Sequence, residues 1–213
     1  AWVWAAGAKF VRYEANGTEI PLFWDPIYQR HARRFMAEVA RKFERDERLL
    51  FIDVTPGAET NPYRFRVMNA WRPQFKAEYA AVPASDGRRY SDDLWLETVK
   101  AAIDASAASF RHAPLLVTLN TAGMTGDRLV EVGNHCVARG FYVGQNGLAP
   151  GNPRPGTRRA EAFAGWAGET RLFFEMVDAT GKTLNMLMKE WGRPTVPGAK
   201  DEPDPRTLMD YVK

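Results

Sequence analysis

Four short apolar runs stand out along the chain: Leu49–Thr55, Pro114–Asn120, Gly140–Gln145 and Arg171–Val177. Each is rich in Val, Ile, Leu and Phe with little alternation, the pattern of a strand buried on both faces. Between and around them, apolar residues recur at helical spacing. Pro26–Arg45 carries Ile27, His31, Phe35, Val39 and Phe43 in one stripe, and Asp25 followed by Pro26 is a helix-start signal. Ser91–Phe110 opens on Ser91-Asp92-Asp93, a capping residue with acids in the first turn, and sets Leu94, Thr98, Ala101, Ala102, Ala105 and Phe110 on one side. Further helices are predicted over Gly126–Ala138, closed by Gly140, over Arg158–Ala167, and over Thr183–Trp191, stopped by Gly192 and Pro194.

Strand followed by helix, repeated, predicts an α/β fold with a parallel sheet and right-handed crossovers. The opening stretch is different. Lys9–Phe23 alternates and holds Asn16-Gly17 at its middle, which predicts a β-hairpin inserted near the N-terminus. Trp2-Val3-Trp4 reads as the end of one further strand, and Arg193–Pro205 as an exposed loop. No composition shift marks a domain boundary, so residues 1–213 are read as a single domain.

Composition narrows the function. At 213 residues and 45% hydrophobic, the chain can build one sizeable core. Its net charge of +3 is not gathered into a patch, because Glu38, Glu44, Asp46 and Glu47 dilute the basic stretch Arg30–Arg48. That reads as a solvated helix face and argues against nucleic acid as a partner. No apolar run approaches the roughly 18 residues of a membrane span, so no membrane partner is expected. The single cysteine, Cys136, excludes an intrachain disulfide and a Cys-rich zinc site, and His31, His112 and His135 have no metal-ligand spacing. No dinucleotide or nucleophile-elbow motif follows a strand, and Thr180-Gly181-Lys182-Thr183 lacks the P-loop glycine, since position 176 is Met. Neither metal nor organic cofactor is expected.

The polar residues cluster at the carboxyl ends of the strands, where parallel α/β folds bind their ligands. The first strand runs out into Thr55-Pro56-Gly57-Ala58-Glu59, the second into Asn120, the third into Gln145-Asn146, and the fourth contains Glu175 inside Leu-Phe-Phe-Glu-Met-Val. A carboxylate in a covered strand costs several kcal/mol unless it is paired or faces a polar cleft, which makes Glu175 the leading functional candidate. Glu59 gains weight as its partner on the same edge. Asp53 lies earlier in its strand and is expected to pair with a neighbouring Arg. Paired carboxylates suit glycoside hydrolysis, one as acid and one as nucleophile. Asn120, Gln145 and Asn146 supply amides that hydrogen-bond sugar hydroxyls. Trp24, Trp166 and Tyr142, with Tyr63 and Trp71, fall in or near predicted loops and are candidates to stack on sugar faces; Arg64, Arg66 and Asn69 would line the same mouth.

These residues resemble the (β/α)8-barrel glycoside hydrolases of the clan A type, the group that includes β-galactosidases and cellulase-like enzymes. The resemblance rests on Pro21-Leu-Phe-Trp24-Asp25-Pro26-x-Tyr28, a long helix, then Asp46-x-x-Leu49-x-x-Ile52-Asp53-Val54 and Gly57-x-Glu59, and covers most of Pro21 to Gly181. It implies a TIM-type barrel in which Glu59, after strand four, is the acid/base and Glu175, ending strand seven, the nucleophile of a retaining enzyme. Asn120 and Gln145-Asn146 would then end strands five and six. The chain departs from the group at Ala58, where many members carry an Asn that contacts the sugar 2-hydroxyl. A non-catalytic carbohydrate-binding barrel is the alternative. The mapping covers strands three to seven only, so the barrel is expected to be incomplete in this chain, with missing segments or a second chain closing it.

Overall fold

The computed structural model describes residues 2–13, 17–49, 51–57, 77, 79–119, 126–146, 156–169 and 172–175. The chain opens with a short helix, α1 (Trp2–Ala5), where a strand end is predicted. Gly7, at φ +94°, and the bonds from Gly7 N to Trp4 O and Ala8 N to Val3 O close this turn. A short apolar run satisfies strand and helix equally, and the glycine three residues on decides it.

The predicted hairpin forms. Strand β1 (Phe10–Tyr13) pairs antiparallel with β2 (Thr18–Pro21), with Val11 opposite Ile20. It is no surface decoration, because Val11, Ile20 and the following Leu22 and Trp24 are all part of the main core.

Asp25 then starts α2 (Pro26–Phe43) as expected, accepting from Ile27 N at 2.9 Å and Tyr28 N at 3.2 Å. The predicted apolar stripe does not survive along the helix. Phe35 is 60% exposed and Phe43 41%, while Met36, Val39 and Ala40 pack on the core. At about 100° per residue Met36, Val39 and Ala40 span an arc of about 100° that Phe35 lies outside, whereas Phe43 falls within it but is the last residue of the helix.

Strand β3 is only Ile52–Asp53, shorter than the predicted Leu49–Thr55, because Leu49 N is used in a turn to Asp46 O. Helix α3 (Asp92–Ser109) begins at Ser91, whose hydroxyl accepts from Leu94 N at 3.1 Å. It buries Leu94, Trp95, Thr98, Val99, Ile103 and Ser106. Strand β4 (Leu115–Leu119) is buried at every position, so both of its faces are covered. Helix α4 (Gly126–Ala138) ends at Gly140, φ +78°, with Phe141 N bonded back to Cys136 O. Strand β5 (Tyr142–Asn146), helix α5 (Arg158–Gly168) and strand β6 (Leu172–Glu175) complete the described elements. The predicted helix Thr183–Trp191 and loop Arg193–Pro205 lie outside the described residues.

The four strands β3, β4, β5 and β6 form one parallel sheet in chain order. Helices follow the same order, with α2 packed on α3, α3 on α4 and α4 on α5. Val54, Leu115, Val117, Leu119 and Val143 join Ile103, Leu129, Val132 and Cys136 in one core, so this row of the sheet faces the helices. Strand alternation puts Asp53, Leu116, Thr118, Tyr142 and Gly144 in the opposite row. Among the described residues the sheet has four strands and does not close on itself.

Candidate functional site at the carboxyl edge of the sheet

The carboxyl edge begins at β3. The backbone ladder between β3 and β4 runs through Ile52 N to Pro114 O and Val54 N to Leu116 O. Beyond that point a side chain takes over: Thr118 N donates to the Thr55 hydroxyl at 2.7 Å. Thr55 also donates its backbone N–H to Asp53 Oδ1 at 2.9 Å and gives its hydroxyl proton to the same oxygen. The Thr118 hydroxyl reaches Asp53 Oδ2 at 3.5 Å. Asp53 is exposed and held by two threonines, and among the described residues it makes no ion pair.

The row continues across the sheet. Thr118 lies opposite Gly144, and Asn146 opposite Glu175. Asn146 and Glu175 are the last residues of β5 and β6, so the backbone sets them side by side at the carboxyl edge. Strand alternation assigns both positions to the row of Gly144, away from the helices. Position 145 shares the row of Leu119 and Phe174. Gly144 keeps the Thr118 row open. A Cβ there would lie 3.1 Å from the Thr118 hydroxyl and 3.2 Å from Leu116 Cδ1, closer than ordinary packing. Thr118 and Gly144 were not among the sequence candidates. The signal for both was present: one hydroxyl in Leu-Leu-Val-Thr-Leu and one glycine in a run of large side chains.

The aromatic candidates are placed elsewhere. Trp24 is fully buried, edge-to-face with Tyr79 at 5.0 Å and 5.2 Å from the ring of Tyr90. Trp166 is buried in α5, where its Nε1 donates to Asn134 Oδ1 at 2.9 Å. Both rings are core, with no face turned to a ligand. Tyr142 begins β5, so it stands at the amino edge, about 13 Å of strand away from Asn146. Glu59, Asn120, Tyr63, Arg64, Arg66, Asn69 and Trp71 lie outside the described residues.

No cluster of three or more His, Cys, Asp or Glu with metal-binding geometry occurs among the described residues. Burial pushes the single thiol, Cys136, up to about 12, far from a reactive range. Burial also raises the Tyr28 and Tyr79 hydroxyls, so neither is a ready proton donor near neutrality. Compared with models of known families, with curated proteins and with solved structures, the chain matches none.

Proposed function

We propose that this chain is the core of a barrel-type retaining glycoside hydrolase that acts on carbohydrate through Glu175 and Glu59. The observation that supports it is the placement of Glu175 at the carboxyl end of β6, in register with Asn146. Strand order and helix order run together along the chain, as in a singly wound (β/α) sheet. In a doubly wound sheet the order would reverse at a switch point.

In this reading the Glu175 carboxylate attacks the anomeric carbon as the glycosidic C–O bond breaks. Glu59 gives its proton to the departing oxygen. A water then loses a proton to Glu59, attacks the same carbon and releases Glu175. Asn146 and Asn120 would bind sugar hydroxyls from the same edge, whereas position 145 falls in the helix-facing row.

The reading carries a geometric demand. Strands β3 and β6 are three intervals apart, about 14 Å across a flat sheet. A retaining pair sits about 5–5.5 Å apart. The sheet must therefore curl, closed by strands beyond the four described. The test is release of aryl alcohol from a broad panel of aryl glycosides. Glu175→Gln is expected to abolish release while sugar binding persists. A protein with its full set of strands that hydrolyses nothing in the panel would sink the catalytic reading. Ala58, in place of the sugar-contacting Asn, favours a second reading as a carbohydrate-binding barrel without catalysis. That reading predicts sugar binding that Glu175→Gln leaves unchanged.

A further inference from the structure

Arginines crowd the first half of α2. Arg30, Arg33 and Arg34 are all exposed, and among the described residues none of them makes an ion pair. The one acid on this helix, Glu38, is engaged by Arg41 at 2.9 Å. Arg30 faces Arg33 and Arg34 at three- and four-residue spacing, where like charges weaken a helix. Such a cluster is relieved when an anion binds beside it.

A pocket of about 510 Å³ opens between α2, α3 and the end of β3. Well-packed interiors leave few voids larger than a water molecule. This one exists because α3 presents Ala101, Ala102 and Ala105 where larger side chains would be needed to reach α2. Ala32 and Met36 of α2 and Val54 after β3 complete its apolar wall. Arg33 lines it, and no Asp or Glu does among the described residues. The volume lies within the roughly 300–1,000 Å³ of small-molecule sites.

We propose that this pocket binds a small amphipathic anion, an acyl chain whose carboxylate meets Arg33 and whose chain lies between the alanines of α3 and Met36. Arginine holds a carboxylate by paired N–H donors, and the apolar wall supplies the hydrophobic contribution. The pocket reaches the carboxyl edge at Thr55, Pro56 and Gly57, but the proposal does not rest on the glycosidase reading.

The test is displacement of 8-anilinonaphthalene-1-sulfonate from the intact chain by octanoate, 1-octanol and octylammonium. Octanoate is expected to compete at least about tenfold better than octanol, and octylammonium worse than either. Arg33→Glu, at an exposed position, should weaken octanoate by about tenfold or more and leave octanol unchanged. Ala102→Trp, or the milder Ala105→Leu, should remove binding of both while circular dichroism shows the fold retained. Absence of dye binding, equal competition by octanoate and octanol, or an unchanged octanoate affinity in Arg33→Glu would each overturn the proposal.

Discussion

Gly133→Ala tests the packing of the helix layer most directly. A Cβ at Gly133 would fall 2.1 Å from Cζ2 and 2.2 Å from Cη2 of Trp166. Carbon atoms prefer about 3.5–4.0 Å, so the indole would have to move by more than an ångström. It has little freedom to do so. Trp166 is 3% exposed, lies against Phe163 at 5.1 Å, and is tied to Asn134 through Nε1. Alanine gains about 1 kcal/mol over glycine in a helix interior. Against that, overpacking costs about 1–3 kcal/mol, and losing the indole hydrogen bond about 1 kcal/mol. The net expectation is a destabilisation of about 1–3 kcal/mol, read from urea unfolding followed by circular dichroism. Gly165→Ala in α5 is the control, since nothing lies within 4 Å of its Cβ position. It should stabilise by about 0.5–1 kcal/mol. In a Trp166→Ala background, Gly133→Ala should turn stabilising as well. A Gly133→Ala protein as stable as the parent, or one equally damaged without Trp166, would refute the reasoning.

Asp25 is fully buried and accepts not only from the first turn of α2 but from Ser85 N at 2.7 Å, the Ser85 hydroxyl at 3.2 Å and Lys9 N at 3.3 Å. Asp25→Ala should therefore cost about 3 kcal/mol or more, well beyond the ~1 kcal/mol of an ordinary helix cap, with Asp25→Asn recovering part of it in thermal melts. Cys136, held neutral by burial, should resist Ellman's reagent at pH 8 and react fully in urea. Below its ordinary value of 9.0 the thiol is protonated in both states; above it only the unfolded thiol ionises, up to about 12. Stability should fall over that window, and urea midpoints at pH 8 and 10 should converge in Cys136→Ala if the thiol is the cause.

Helix starts were legible because their chemistry is local. Ser91 and Asp25 cap the backbone two or three residues ahead, and no distant contact can relocate that bond. Strand positions were legible for β4, β5 and β6, where segments of strand length alternate with helical patterns along the chain. Strand length was not. β3 stops at two residues because Asp46 turns the preceding chain and Asp53 turns the following one, and each of those turns competes with the ladder for the same backbone groups. The α2 stripe failed for a different reason. Phe35 is one four-residue step from Val39, yet it falls outside the arc of Met36, Val39 and Ala40, and Phe43, within that arc, is the last residue of the helix.

The aromatic candidates expose a general asymmetry between amides and rings as sequence signals. An Asn or Glu at a strand end keeps its meaning wherever the neighbouring strand falls, because the carboxyl edge is defined by the backbone alone. Asn146 and Glu175 share a register position for that reason. A tryptophan near a loop has no such anchor. Trp24 follows a hairpin strand and Trp166 lies in a short amphipathic helix, and both are drawn inward because each indole removes more apolar surface from water than any neighbour. Trp166 goes further: Gly133 has given up its side chain to admit it. A ring that its partner helix has made room for belongs to the packing. Whatever sugar-stacking surface the carboxyl edge possesses must be built from residues other than these two.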